Sequence, residues 1–150
     1  MNGVSAGYAA TPQIRKLGIR AGMRVALLNA PRGWALTDPP PLVRAARGPA
    51  DVLIWFVRAA ADLPDVSSHA RRIFPGGALW VAWPRRAAGH QSDVTENGIR
   101  AAVLPQGLVD VKVAAIDEDW SGLKIVWRTE NRQEKLSSGV ESGTGRSTRS

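Results

Sequence analysis

The chain has 150 residues, enough for one domain that buries its own core without covalent staples. Hydrophobic residues make up 44% of it and cysteine is absent, which excludes disulfides, thiolate metal sites and a cysteine nucleophile. The net charge of +7 suits a polyanionic partner. It equally suits an arginine-rich solvated surface written by GC-rich coding bias, and that plainer reading is preferred.

Residues 1–10 carry no pattern and read as a flexible lead, without the charged and apolar regions of a signal peptide. Residues 11–18 read as a short helix. Thr11 is its N-cap, Pro12 its first residue, and Gly18 its left-handed exit. Residues 24–29 form a first strand, consecutively apolar from Val25 to Leu28 as in a strand covered on both faces. A loop with Pro31, Gly33 and Pro39-Pro40-Pro41 follows. Residues 42–47 are a candidate edge strand, separated from the next strand only by Gly48-Pro49-Ala50. Because a parallel crossover needs a dozen or more residues, that segment is expected antiparallel to its successor.

Residues 51–57 are a second buried strand, and residues 62–74 a helix with Leu63, Val66, Ala70 and Ile73 on one face. Pro64 falls in the first turn, and Pro75-Gly76-Gly77 ends the helix. Residues 79–83 are a third buried strand, closed by Pro84. Asp93 and Glu96 form a capping box for a helix running to about Leu104. The last pair is a hairpin about a turn at 117–122. Val109, Val111, Val113 and Ala115 share one face opposite Leu123, Ile125 and Trp127. From Glu130 the serine- and glycine-rich sequence reads as a disordered basic tail. The longest apolar runs, 52–57 and 78–83, fall far short of the roughly 18 residues of a membrane span, so no membrane partner and a cytoplasmic location are expected.

The fold class that results is α/β. It is a truncated Rossmann-like domain over 11–129, with a mainly parallel sheet, a C-terminal antiparallel hairpin and helices on both faces. With so few residues between the first strands, the apolar first strand lies near a sheet edge. Either residues 34–47 cover it or a second subunit does, in a homodimer.

The segments Lys16-Leu17-Gly18-Ile19, Ala50-Asp51-Val52-Leu53-Ile54-Trp55, Pro75-Gly76-Gly77 with Leu79-Trp80-Val81-Ala82-Trp83-Pro84, and Trp120-Ser121-Gly122-Leu123 carry a resemblance. Together they resemble the actinobacterial family called domain of unknown function 3052, over about residues 6–128. That resemblance implies no activity and no catalytic residue. The Pro-Gly-Gly-strand-Pro segment and the hairpin are also similar, more distantly, to the C-terminal half of class I methyltransferases. Against that likeness, the loop after the first strand has one glycine, and Pro31 removes a backbone donor. No acid stands where ribose hydroxyls would be held. No S-adenosylmethionine, dinucleotide or other cofactor is therefore expected.

In open α/β sheets ligands bind beyond the carboxyl ends of the strands. Those ends bring forward Asn29, Arg32, Arg58, Trp83, Arg85 and Arg86 as candidates for binding a small anionic ligand or a protein partner. The plain alternative is a solvated basic rim. Asp117-Glu118-Asp119 are adjacent rather than spaced around an ion, and neither His69 nor His90 has a partner at ligand spacing, so no metal site is expected. Trp55, Trp80 and Trp127 belong to strand interiors. Trp34, Trp83 and Trp120 lie at ends and turns, where a ring can stack on a ligand. The favoured function is a non-catalytic binding or regulatory protein. The alternatives are a degenerate methyltransferase-like transferase, and a nucleic-acid binder using Arg44, Arg47, Arg71, Arg72, Arg85 and Arg86.

Overall fold

The computed structural model describes residues 11–132, so the expected lead at 1–10 and the tail from 133 onward lie outside the described residues. The chain runs α1 (Gln13–Leu17), β1 (Arg24–Leu28), β2 (Val43–Arg44), β3 (Val52–Phe56), a 3-10 stretch (Ala60–Asp65) and α2 (Val66–Arg72). It continues with β4 (Ala78–Pro84), a 3-10 turn (Arg86–Ala88), α3 (Glu96–Val103), a second turn (Leu104–Gln106), β5 (Leu108–Ala115) and β6 (Trp120–Trp127). One sheet holds all six strands in the order β2-β1-β3-β4-β6-β5. The pairs β1–β2, β1–β3 and β3–β4 are parallel, and β4–β6 and β5–β6 are antiparallel. The Rossmann order 3-2-1-4-5-6, stripped of its third strand and closed by an antiparallel hairpin, gives this sheet. Among the described residues no helix is long and apolar enough to cross a membrane.

Alternation along the strands divides the core into two layers. Leu53, Trp55, Leu79, Val81, Leu123 and Ile125 face Val66 and Ala70 of α2 and Ile99 and Val103 of α3. Val25, Val52, Ile54, Phe56, Trp80 and Ala82 face the other way, against Leu17 of α1, Ile19 and the loop residues Trp34, Leu36 and Leu42. Full burial of each large apolar side chain stabilises the fold by about 1.5–3 kcal/mol. Two buried indoles have their N–H groups satisfied: Trp80 Nε1 donates to the Leu17 carbonyl (3.1 Å) and Trp127 Nε1 to that of Ala70 (2.9 Å). No polar or charged residue is buried among the described residues.

Several local expectations are corrected. The edge strand is only Val43–Arg44 and runs parallel to β1, and hence in the same direction as β3. A short connection between parallel strands is excluded only where the chain must return along the strand. Arg44 lies level with Val25, and Val25 with Val52, so the chain needs only lateral travel, about two strand spacings of 4.8 Å. The first strand therefore keeps a partner at its edge, supplied by the 34–47 segment.

The helix expected at 62–74 is 3-10 through Pro64 and α-helical only over Val66–Arg72, although Leu63, Val66, Ala70 and Ile73 are all buried as anticipated. Thr11 caps nothing. Pro12 holds the N-cap position of α1 without a side-chain bond, while Gly18 does provide the left-handed exit (φ 73°). The capping box dissolves as well. Thr95 is the N-cap of α3, its Oγ1 accepting from Gly98 N (3.0 Å), whereas Asp93 accepts from Ala60 N (2.8 Å) across the domain.

The single apolar face of β5 is broken by a register shift between Asp110 and Lys112. Val109 pairs with Val126 and Val113 with Leu123, so the two valines lie on opposite faces, because the extra residue flips the alternation. Leu108 becomes the buried residue, and Val111 and Val113 are 51% and 47% exposed. Residues 129–132, partly assigned to the tail, form a helical turn in which Asn131 Nδ2 donates to the Gly107 carbonyl (2.9 Å).

Candidate functional site

The carboxyl ends of β1, β3 and β4 open on one edge of the sheet, and the chain reverses direction across the sheet between β1 and β3. At that switch point Asn29 takes a left-handed conformation (φ 59°), uncommon for a residue with a side chain. The turn leaves its carbonyl to accept from Arg58 Nη1 (2.9 Å). The guanidinium of Arg58 also lies over the Trp120 ring, 5.3 Å from its centroid. Trp120 in turn meets Phe56 edge-on (4.9 Å), and Phe56 meets Trp34 (5.0 Å). An aromatic column thus lies under a cation at the place where Rossmann-like sheets take ligands.

Two adjoining hollows open here, the first of them beside this cation. One, about 340 Å³, is lined by Pro31, Arg58, Pro84, His90, Asp119 and Trp120. The other, about 200 Å³, is lined among others by Trp83, Pro84, Arg86, His90 and Ser92. Pro84 and His90 border both. His90 reaches this position because Gly89 (φ 90°) ends the Arg86–Ala88 turn in the left-handed region and folds the chain back, with His90 N donating to the Arg85 carbonyl (3.3 Å). Its Nε2 lies 2.9 Å from Asp119 Oδ1.

Of the six residues expected here, Arg58, Trp83 and Arg86 line the hollows, and Asn29 contributes its carbonyl. Arg85 is committed elsewhere: its Nη1 donates to the Asp117 and Glu118 carbonyls (3.4 and 3.2 Å), tying the β4 end to the hairpin tip. Arg32 is exposed and lines neither hollow. The acidic tip divides its labour. Asp117 accepts from Asp119 N, Trp120 N and Trp34 Nε1 (2.8, 2.9 and 2.8 Å), which fixes the turn, while Asp119 faces His90. No three His, Asp or Glu residues among the described ones converge to hold a metal ion.

Sequence reasoning missed His90, Asp119 and the stacking role of Trp120 under Arg58. His90 and Asp119 are 29 positions apart, and only the β4–β6 pairing, with Pro84 opposite Trp120, brings them together. Two features of the nucleotide-binding machinery are replaced. The loop from β1 to β2 contains no helix whose N-terminus could meet a diphosphate, and β2 ends on Arg44-Ala45 instead of an acid.

Among solved structures, the chain is similar to a protein in the NADB-Rossmann superfamily from Streptococcus agalactiae, at 8% identity over 79% of this chain and 68% of that one, with a TM-score of 0.47. It is also similar to a chain of a fibrillarin/Nop5p complex, at 10% identity over 73% of this chain and 75% of that one, with a TM-score of 0.45. No curated protein matches. A family model described as "Protein of unknown function (DUF3052)" matches residues 46–129, which take in β3 to β6 and every residue lining the two hollows except Pro31. That match spans more than half of the chain, and the chain belongs to this family.

Proposed function

We propose that the chain is a non-catalytic binding or regulatory protein whose ligand is a small anion, carboxylate- or phosphate-bearing, seated in the paired hollows over β3 and β4. The observation that carries this reading is Arg58. Its guanidinium lies over the Trp120 ring and is anchored through one nitrogen to the Asn29 carbonyl, while its other N–H groups remain for a ligand. A guanidinium already fixed in place loses little freedom when an oxyanion arrives, and its fork matches carboxylate or phosphate oxygens.

The local charge supports an anion. Arg86 adds a second cation on the rim. Of the acids nearby, Glu96 is paired with Arg100 (3.0 Å), and Asp119 is paired with His90, which offsets its charge when protonated. The reading invokes no nucleotide cofactor, in keeping with the helix-free loop after β1. A nucleic-acid role draws less support, because Arg72 and Arg85, two of the arginines such a surface would use, are tied to backbone carbonyls.

Isothermal titration of the full chain with phosphate, pyrophosphate and citrate at low salt tests this. Binding heat is expected from at least one of them. Arg58→Ala and Arg86→Ala should each weaken it about tenfold, as expected for loss of a charge-assisted hydrogen bond. No heat from any of the three, or heat unchanged in both variants, overturns the reading.

A further inference from the structure

The brevity of β2 leaves the end of β1 unpaired on that side, and a cavity of about 220 Å³ lies nearby, on the face of β1 that the 34–42 loop covers. Its walls are Val25 and Leu27 of β1, Leu36, Pro40 and Leu42 of the loop, and Arg44 of β2. We infer that this cavity is a second binding site, independent of the hollows over β3 and β4, and that its ligand is a small apolar monocarboxylate.

Size and lining set the apolar part. An apolar cavity of roughly 150 Å³ takes up benzene, so this one has room for a six-membered ring with a substituent. Two polar features set the rest. Along β1 the residues alternate in the direction of their backbone groups: Met23 and Val25 offer their carbonyls to β2, accepting from Val43 N (2.9 Å) and Ala45 N (3.0 Å). Leu27 is next on that side. The pairing stops at Val25–Arg44, and the Ala45 carbonyl that would have accepted from Leu27 N accepts from Arg72 Nη2 instead (2.9 Å). Among the described residues the N–H of Leu27 is thereby left without an acceptor at the sheet edge beside the cavity, and such a donor calls for one.

The second feature is Arg44. It is exposed on the cavity's rim, and among the described residues no ion pair involves it. One open N–H and one unneutralised guanidinium beside an apolar chamber match a ring or branched chain that carries a single carboxylate.

The test uses full-length, nitrogen-15-labelled protein titrated with benzoate and cyclohexanecarboxylate, with benzyl alcohol as the neutral counterpart. The amide signals of Val25, Leu27 and Leu42 are expected to shift with the acids and much less with the alcohol. Arg44→Gln, at an exposed position, should weaken the acids about tenfold. Leu42→Trp, which fills the chamber, should abolish binding at unchanged melting temperature. Arg58→Ala should leave it untouched, which separates this site from the other. An unmoved Leu27 signal, an alcohol that binds as well as the acids, or indifference to Arg44→Gln overturns the inference.

Discussion

His69 meets Trp55 edge-on, ring centroids 4.5 Å apart, and it carries a pH signature. Desolvation in this packing holds its pKa below the ordinary 6.5, with Asp65 opposing the shift and Arg72 adding to it. The unfolded chain takes up a proton near pH 6.5 while the folded one resists. Stability is therefore whole above that pH and declines as pH falls from 6.5 through the lower folded value. Asp51 and Asp110 act further down the scale. Hydrogen bonds from Arg24 and Arg100 hold their carboxyls below the ordinary 3.8, so their contribution is present above that value and fades as pH falls through the folded ones. Melting temperatures measured from pH 8 to 3 should show two descending steps. His69→Gln should remove the upper one and leave the lower. A single step in the parent protein would contradict this assignment. The helix expected at 62–74 takes in His69, but its neighbour Trp55 comes from another element, so the proton linkage was not legible from spacing.

At the scale of elements, burial was easier to read than punctuation. Leu63, Val66, Ala70 and Ile73 recur at helical spacing and all reach the core, because an apolar face must be buried whatever its ends do. The start of α3 was misread because Asp93 and Thr95 are both good caps, and the choice between them is tertiary. Asp93 is taken by Ala60 N, which leaves Thr95 to cap the helix. The two side chains should therefore fail differently. Thr95→Ala is expected to cost about 1 kcal/mol, as cap removals do, and to raise hydrogen exchange at Gly98. Asp93→Ala should raise exchange at Ala60, in the turn that leads from β3 to α2, and spare the first turn of α3. Equal effects of both variants on Gly98 would restore the capping box. The bulge in β5 is a comparable case. Period-two alternation over 109–115 looked unbroken, and only pairing with β6 reveals the extra residue at 111.

For the whole molecule, the open question was how a shortened Rossmann-like sheet protects its first strand. The apolar run Val25–Leu28 and the missing chain length were visible in the sequence, and both pointed to an exposed edge. The sequence also named residues 34–47, or a second subunit, as the cover; what holds that segment in place was not visible, because it depends on an arginine of α2. Arg72, at the end of α2, donates through Nε to the Gly48 carbonyl (2.7 Å) and through Nη2 to that of Ala45 (2.9 Å). Those bonds pin the 45–48 turn that carries β2 alongside β1, and the Ala50 N–H donates to the Arg72 carbonyl (2.8 Å) on the same turn. One side chain thereby fixes the segment that covers the β1 edge. Arg72→Ala keeps the α2 backbone and the apolar core intact, so the domain should still fold. The amide of Ala45, bonded to the Val25 carbonyl, should then exchange faster, while the β4–β6 amides stay protected. With β2 released, the β1 edge becomes available to another chain, and open apolar edges pair. Light scattering should show a mass that rises with concentration in this variant and a constant mass in the parent protein. A variant as monodisperse as its parent, with Ala45 still protected, would mean that β2 holds its place through Val43 and Leu42 alone and that Arg72 is incidental to the edge.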